Sequence, residues 1–403
     1  METKEGNREP VTLAAWQDGP QNRWSFKHVR ELIPTARICR GRECPSRFSY
    51  SPHKLDIVPF SSRGQTLTVE EMLERTYTDG FLVLGHGRIL AEHYYNGMTS
   101  STPHLLQSVS KSITSTVTGI LAGRGEITLT EPVVAYIAEL EGSSFDEATV
   151  RQLLDMRTGT KFNEDYSNPE AEVKQYEQVI GWAPRTHAGP EEDLHSFIAK
   201  LVNGREHGGE FEYRSILTDL LGWVLESASG LSFAELVSRE LWSKLGAEFD
   251  AEVTVDIHGH ALADGGISAT LRDLGRFGQL FLQNGCLNGR QVVPAEWVRD
   301  CWRADKETIG AFDPSTPLED CPDGMYRNNW WVRDPIRGIY YGAGVYGQRI
   351  FIHLPANVVI AKLSSWPDPL DDALGAMQID AFEAIAGFLT DQVSAGPSNT
   401  PLA

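Results

Sequence analysis

Two β-prone blocks lie near opposite ends of this chain, and the stretch between them carries helical periodicity. Phe81-Leu82-Val83-Leu84 and the run from Arg88 to Tyr95 flank Gly85-His86-Gly87, which predicts a hairpin. Far downstream, Tyr340 to Leu354 and Asn357 to Ser364 are again β-rich around Pro355-Ala356, a second hairpin. In between, Val109, Ile113, Val117, Ile120 and Leu121 fall at helical spacing, with Gly123 and Gly125 as the stop. Further helices are predicted over about 149–157, 216–228 (closed by Gly230), 232–245 (opened by a Ser232/Glu235 capping box), 270–282 and 373–390. Strands at both ends share one sheet only if the middle is looped out. The fold class is therefore α+β, an antiparallel sheet from both termini flanked by helices, with an inserted, mainly helical subdomain. The expected boundaries are 1–25 as a tail or surface wrap, 26–105 with 265–403 as the sheet domain, and 106–264 as the helical subdomain. The polar, proline-bearing stretch from Lys161 to Tyr213 shows little periodicity, and so long an irregular segment usually serves function.

The composition, 41% apolar and 23% charged over 403 residues, supports a sizeable core. A formal net charge of −19 repels phosphates, which argues against nucleic acid and anionic membrane as partners. It suits a cationic or neutral small molecule, although solubility alone explains it as well. No run approaches the ~18 consecutive apolar residues of a membrane span. The start of the chain lacks the pattern of a signal peptide. Five cysteines (Cys39, Cys44, Cys286, Cys301, Cys321) form no disulfide framework, so reduced thiols and a cytoplasmic location are expected.

Several signals carry little. Gly342-Ala343-Gly344-Val345-Tyr346-Gly347 spells G-x-G-x-x-G, but the chain continues as strand where a dinucleotide site needs a helix. Cys39 and Cys44 lack the second ligand pair of a zinc site. His258-Gly259-His260 has no carboxylate at metal spacing and reads as a surface loop. There is no G-x-S-x-G elbow.

Ser108-Val109-Ser110-Lys111 opens the amphipathic helix that runs to about Ala122, whereas Ser51-Pro52-His53-Lys54, which has the same spacing, is followed by no helix pattern. Three residues are nearly one turn, so Ser108 and Lys111 share a face, a nucleophile beside a nitrogen base. Burial and the positive end of the helix dipole are expected to lower the lysine's pKa, and the free N–H groups of the same turn suit an oxyanion. The bland alternative is a helix cap beside a solvated lysine. A tyrosine with a polar residue two places on would complete the set. Tyr94, Tyr166, Tyr213 and Tyr326 all qualify. Tyr213, just before a strong helix and at the end of the irregular segment, is preferred, with Tyr166 as a second active-site residue.

With these motifs in hand, the chain resembles the serine-reactive β-lactamase and penicillin-binding-protein superfamily. Within it the resemblance is to 6-aminohexanoate-dimer hydrolases and related β-lactamase-fold carboxylesterases. It is carried by Ser108-Val109-Ser110-Lys111, Phe162-Asn163-Glu164-Asp165-Tyr166, Ile180-Gly181-Trp182, Tyr213-Arg214-Ser215 and Thr218 to Trp223. Gly265-Gly266-Ile267-Ser268, Asn329-Trp330-Trp331, Gly344 to Gln348 and Lys362 to Pro369 complete it. The resemblance implies an acyl-enzyme on Ser108, with Lys111 and Tyr213 relaying protons and no metal or cofactor. It implies an oxyanion hole from the N–H groups of Ser108 and Val345. It makes Tyr166 a partner of the scissile amide nitrogen and puts Glu177, Asp264 and Trp331 at substrate-binding positions, where Glu177 could hold a substrate ammonium.

Two departures narrow the reading. The strand that usually carries Lys-Thr-Gly reads Gly342-Ala343-Gly344, without the lysine that holds a substrate carboxylate, which argues against β-lactam and peptidoglycan substrates. Ser215 stands where β-lactamases often have asparagine. What remains is hydrolysis of a short-chain ester or a linear amide. The rivals are acyl transfer from the same acyl-enzyme and a catalytically silent protein of the same fold. A homodimer is left open.

Overall fold

In the computed structural model, which describes residues 10–186, 192–312 and 324–395, the two β-prone blocks lie side by side. Phe81 pairs with Lys362 and Val83 with Ile360, antiparallel. The eight-stranded sheet runs in the order Met325–Arg327, Trp330–Asp334, Ile339–Gly344, Gln348–His353, Val358–Ser364, Thr78–Gly85, Arg88–Tyr94, Ser49–Tyr50. Only the last pairing is parallel.

Both faces are covered, so the central strands Thr78–Gly85 and Val358–Ser364 are buried along their whole length rather than alternately. Phe81, Val83, Phe351 and Ile360 point to the helices Val69–Arg75 and Asp372–Ala395, and their neighbours Leu82, Leu84, Ile350 and Val359 point to the main core. Each such side chain contributes roughly 1.5–3 kcal/mol on burial, an upper bound. The helix Leu271–Leu282 lies on the main-core face through two glycines. A Cβ at Gly275 would sit 2.5 Å from Leu82, and one at Gly278 2.5 Å from Val359.

The first hairpin turns on His86 and Gly87, both left-handed (φ +50° and +73°), the pair of conformations that matches strand twist. The second differs from expectation. Its first run breaks into Ile339–Gly344 and Gln348–His353, because Tyr346 and Gly347 take positive φ (61° and 89°) and fold the chain back on itself. Val345 thus sits in a tight turn at a strand end, not within a strand.

The helix Val109–Gly123 is buried nearly all round, and its small hydroxyls serve as internal donors. Ser112, Ser115 and Thr114 donate to the carbonyls of Asn329, Asn328 and Ala263. A second sheet, in the order Thr35–Ile38, Ala251–Thr254, Ile267–Ala269, His104–Leu105, ties this helix's approach to the 251–269 segment. The segment read as irregular holds two short helices, Glu172–Val179 and Leu194–Ala199, too brief to show a period. The helix expected over 149–157 is confined to Val150–Leu154, since Met156 turns left-handed. Capping boxes form at Thr149/Gln152 and Ser232/Glu235.

Residues 10–25, where a tail or wrap was expected, are anchored. Trp16 is 1% exposed and donates to the Trp182 carbonyl (2.7 Å), and Asn22 donates to that of Trp366 (2.6 Å). One buried cluster runs from Trp16 and Leu82 through Leu153 and Leu225 to Leu363, crossing all three expected boundaries. Cys39, Cys44, Cys286 and Cys301 are free thiols, while Cys321 lies outside the described residues. Among the described residues no single helix is long and apolar enough to cross a membrane.

Candidate active site

The residue before the helix Val109–Gly123 is Ser108, at its N-cap. Gln107 ahead of it takes a left-handed φ of +50°, a conformation costly for a side chain of that size, which presents Ser108 at a sharp bend. One turn on, Lys111 Nζ donates to Ser108 Oγ at 2.8 Å. Lys111 is 1% exposed and also meets the carbonyl of Asp264 (3.1 Å) and its Oδ2 (3.3 Å).

Tyr213 completes the group. Its ring centre is 5.3 Å from Lys111 Nζ, and its phenol interacts with Ser108 and Lys111. Trp331 stacks on it (5.5 Å, 16°) and Tyr326 meets it edge-on (5.8 Å). Of the four candidate tyrosines, Tyr94 alone lies elsewhere, bonded to Glu92 in the sheet.

The electrostatics correct one expectation. Burial does push the Lys111 ammonium down and is the largest single influence. Asp264, Tyr213, Glu164 and Asp219 together outweigh it and hold the ammonium above its ordinary range. Burial likewise raises the Tyr213 phenol, opposed chiefly by Lys111. At rest the pair is therefore well protonated, and a proton must leave it before it can act as a base.

Three groups here were not singled out from sequence. Glu164 accepts from Tyr166 Oη (2.8 Å), from the Ser215 N–H (2.6 Å) and from the Ser215 hydroxyl, which fixes Tyr166 against the start of the helix Ile216–Ser229. Burial raises its carboxyl, against the pull of Lys111. Tyr176 donates to Asp219 (2.5 Å) and Asp264 (3.2 Å), and Asp219 accepts the Asp264 N–H (3.0 Å). Burial first, then the Asp264 charge, push the Asp219 carboxyl well up. A carboxylate alone in sequence gives no sign of such a contact, although Glu164 and Asp219 each lie inside a family-like motif.

Ser108, Tyr166, Tyr213, Trp331 and Val345 line one cavity of about 330 Å3. A small second lobe behind Ser108 and Val345 is walled by Gln17, Tyr176, Glu177, Trp182 and Asp264. All eight predicted site residues thus meet. Glu177 is already paired with Lys174 (3.1 Å) and accepts from Gln17 (3.4 Å). The glycines of the 342–347 motif serve approach, not a nucleotide. A Cβ on Gly344 would sit 2.7 Å from the Leu106 carbonyl, and one on Gly342 3.0 Å from Ser112 Oγ. The strand lacks a cation, as read, but Arg349, opposite Ala343 on the next strand, enters the cavity wall with Nη1 on the carbonyls of Gly344 and Gln348.

Comparison with known proteins shows the family and the fold. The Beta-lactamase family pattern matches residues 68–383. The chain is 39% identical over 358 residues to a 6-aminohexanoate-dimer hydrolase of Paenarthrobacter ureafaciens, covering 89% of both chains. A solved chain from Bacillus anthracis carrying the same name provisionally is 28% identical, with a TM-score of 0.87 over 96% of this chain and 98% of its own. A family VIII carboxylesterase shares the fold at 14% identity, with a TM-score of 0.56 over 78% of this chain and 96% of its own.

Proposed function

This chain belongs to the Beta-lactamase family and is a hydrolase of that fold, and we propose that it cleaves carboxylic esters or linear amides through an acyl-enzyme on Ser108. The observation that carries the reading is the 2.8 Å contact between Ser108 Oγ and a buried Lys111, roofed by Tyr213, at the wall of a largely apolar cavity.

Ser108 Oγ attacks the acyl carbon, and its proton passes to the Lys111–Tyr213 pair once that pair has lost one of its own. The oxyanion is held by the backbone N–H groups of Ser108 and Val345. Collapse breaks the bond to the alcohol or amine, which takes the proton from the pair. Water then repeats the sequence on the acyl-enzyme and releases the acid. Tyr166 stands where it can meet the leaving nitrogen, and Glu177 and Asp264 face the far lobe, a setting for an amino-terminated substrate such as the aminohexanoate dimer. The free thiols among the described residues fit a cytoplasmic enzyme, and the formal net charge of −19 favours a small molecule over nucleic acid or anionic membrane as its partner.

A fluorophosphonate probe should label the wild type and not Ser108→Ala. Label retained by the variant would refute the nucleophile. Hydrolysis of p-nitrophenyl esters, measured beside that of a linear aminohexanoate dimer and with an added alcohol, separates esterase, amidase and acyl transfer. Glu177→Gln should raise KM for amino-terminated amides and leave neutral esters unchanged. Equal effects on both would remove the ammonium role.

A further inference from the structure

The histidine pair His258 and His260, which has no carboxylate near it in sequence, acquires one in the fold. Asp193 Oδ2 lies 3.1 Å from His258 Nδ1 and 3.9 Å from His260 Nε2, and the three ligand atoms all fall within 4.8 Å of one another. We infer that Asp193, His258 and His260 form a binding site for a divalent transition-metal ion, zinc by its ligand chemistry, independent of the serine chemistry.

The distances fit the ion. Two imidazole nitrogens and a carboxylate oxygen around tetrahedral zinc, at ~2.0–2.2 Å each, stand about 3.3–3.5 Å apart. The shorter of the two Asp193 contacts need only open, and the longer close, by a few tenths of an ångström, while the two histidine nitrogens, within 4.8 Å of each other, close by up to about 1.5 Å through rotation of the half-exposed His258 ring. Two imidazoles with one carboxylate suit zinc and its first-row neighbours rather than calcium or magnesium, which take oxygen.

The site is also built rather than accidental. Buried Asp256 (3% exposed) organises all three ligands at once. Its Oδ1 accepts the N–H groups of His258 (2.8 Å) and His260 (2.9 Å), and its Oδ2 accepts that of Leu194, the residue after Asp193 (2.9 Å). Gly259 at φ +91° provides the turn that sets the two histidines on the same side, and the bridge Val255–Ala261 closes the loop. The ring of His260 is held by His195, stacked at 3.6 Å, which itself lies flat on Trp223 at 3.8 Å. Asp193 keeps its other oxygen on the Ser196 N–H (2.7 Å), so Oδ2 alone faces the histidines. Their side chains are 20%, 49% and 26% exposed, which leaves room for water to fill the fourth position. Such a metal would staple the start of the helix Leu194–Ala199 to the loop that leads into Asp264. Its role is to hold these two segments together, with water rather than a fourth side chain completing the coordination.

The test uses the full chain, stripped with a chelator, and zinc alone as the probe. Calorimetric titration should show one zinc per chain bound at micromolar or tighter concentration. His258→Ala combined with His260→Ala should weaken binding by at least tenfold, with the fold checked by far-UV circular dichroism. The conservative Asp193→Asn variant should weaken it by a smaller factor. Zinc should raise the Tm of the wild type and not that of the double variant. Cobalt in place of zinc should give d–d bands without a thiolate charge-transfer band, which excludes Cys39 and Cys44 as the ligands. Zinc binding that survives the double substitution, a thiolate band, or no binding by the wild type would each overturn the assignment.

Discussion

Asp264→Asn should move the pH dependence of the reaction to lower pH. Lys111 Nζ is 1% exposed and 3.3 Å from Asp264 Oδ2. At an effective dielectric constant of about 20, unit charges at that distance attract by about 5 kcal/mol. Less than that is lost. The carbonyl of Asp264 still accepts from Lys111 at 3.1 Å, and Asp219, relieved of its neighbour's charge, ionises more readily and restores part of the field. An opposite charge at this range typically shifts a pKa by about 1–3 units, so the expected displacement lies in that interval. The sign follows from the pair. Lys111 and Tyr213 both sit above their ordinary values, and the reactive form has lost one of their protons. Activity therefore climbs as pH rises through the alkaline range. Removing a negative charge destabilises the ammonium, lowers the pair's apparent pKa and moves the climb toward neutrality. The assay is kcat/KM for a neutral p-nitrophenyl ester as a function of pH, which reports the free enzyme and avoids any contact between Asp264 and a charged substrate. A limb that stays in place, or moves to higher pH, would refute the electrostatic account of Lys111.

The other expectations are independent of one another. Lys111→Ala should reduce kcat on esters by about 10²–10⁴-fold, the range of a lost general base; an unchanged kcat would leave Ser108 without its partner. Tyr166→Phe should lower amide turnover by about tenfold, ~1.4 kcal/mol in the barrier, and leave ester turnover nearly unchanged, since an ester's leaving oxygen has no N–H to orient. Gly344→Ala places a Cβ 2.7 Å from the Leu106 carbonyl and should destabilise the protein by ~1–3 kcal/mol, read as a fall in Tm, while also slowing acylation by displacing Val345. Glu240 accepts from Arg124, Lys244 and Arg239, and against burial these lower its carboxyl from 4.5 to about 2. Glu240→Gln should lower Tm at neutral pH, and the difference from wild type should vanish as pH falls through that window.

The parts legible in the sequence were those fixed by local chemistry. Ser108 and Lys111 sit one turn apart because helical geometry puts them there, and the capping box at Ser232 and Glu235 is a contact between near neighbours. The sheet from both ends followed from the hydrophobic runs. The misses were non-local. The two short helices at Glu172–Val179 and Leu194–Ala199 are too brief for periodicity to register. The break at Tyr346 depends on a positive φ that an aromatic residue does not advertise. The upward shift of Lys111 comes from Asp264, Tyr213, Glu164 and Asp219, all remote in sequence, whereas burial, one of the two effects expected from the motif, acts in the opposite direction. Asp193 reaches His258 and His260 in the same unforeseeable way.

The indole of Trp16 and the amide of Asn22, fastened to Trp182 and Trp366, bring Gln17 to the rear lobe of the cavity, although residues 10–25 fall before the stretch matched by the family pattern. The wall of the rear lobe is thereby assembled from parts of the polypeptide far apart in sequence, Gln17 beside Tyr176, Glu177 and Asp264. A chain trimmed to the matched region would lose Gln17 from that wall together with the buried Trp16, Phe26 and Ile33 that help to carry it.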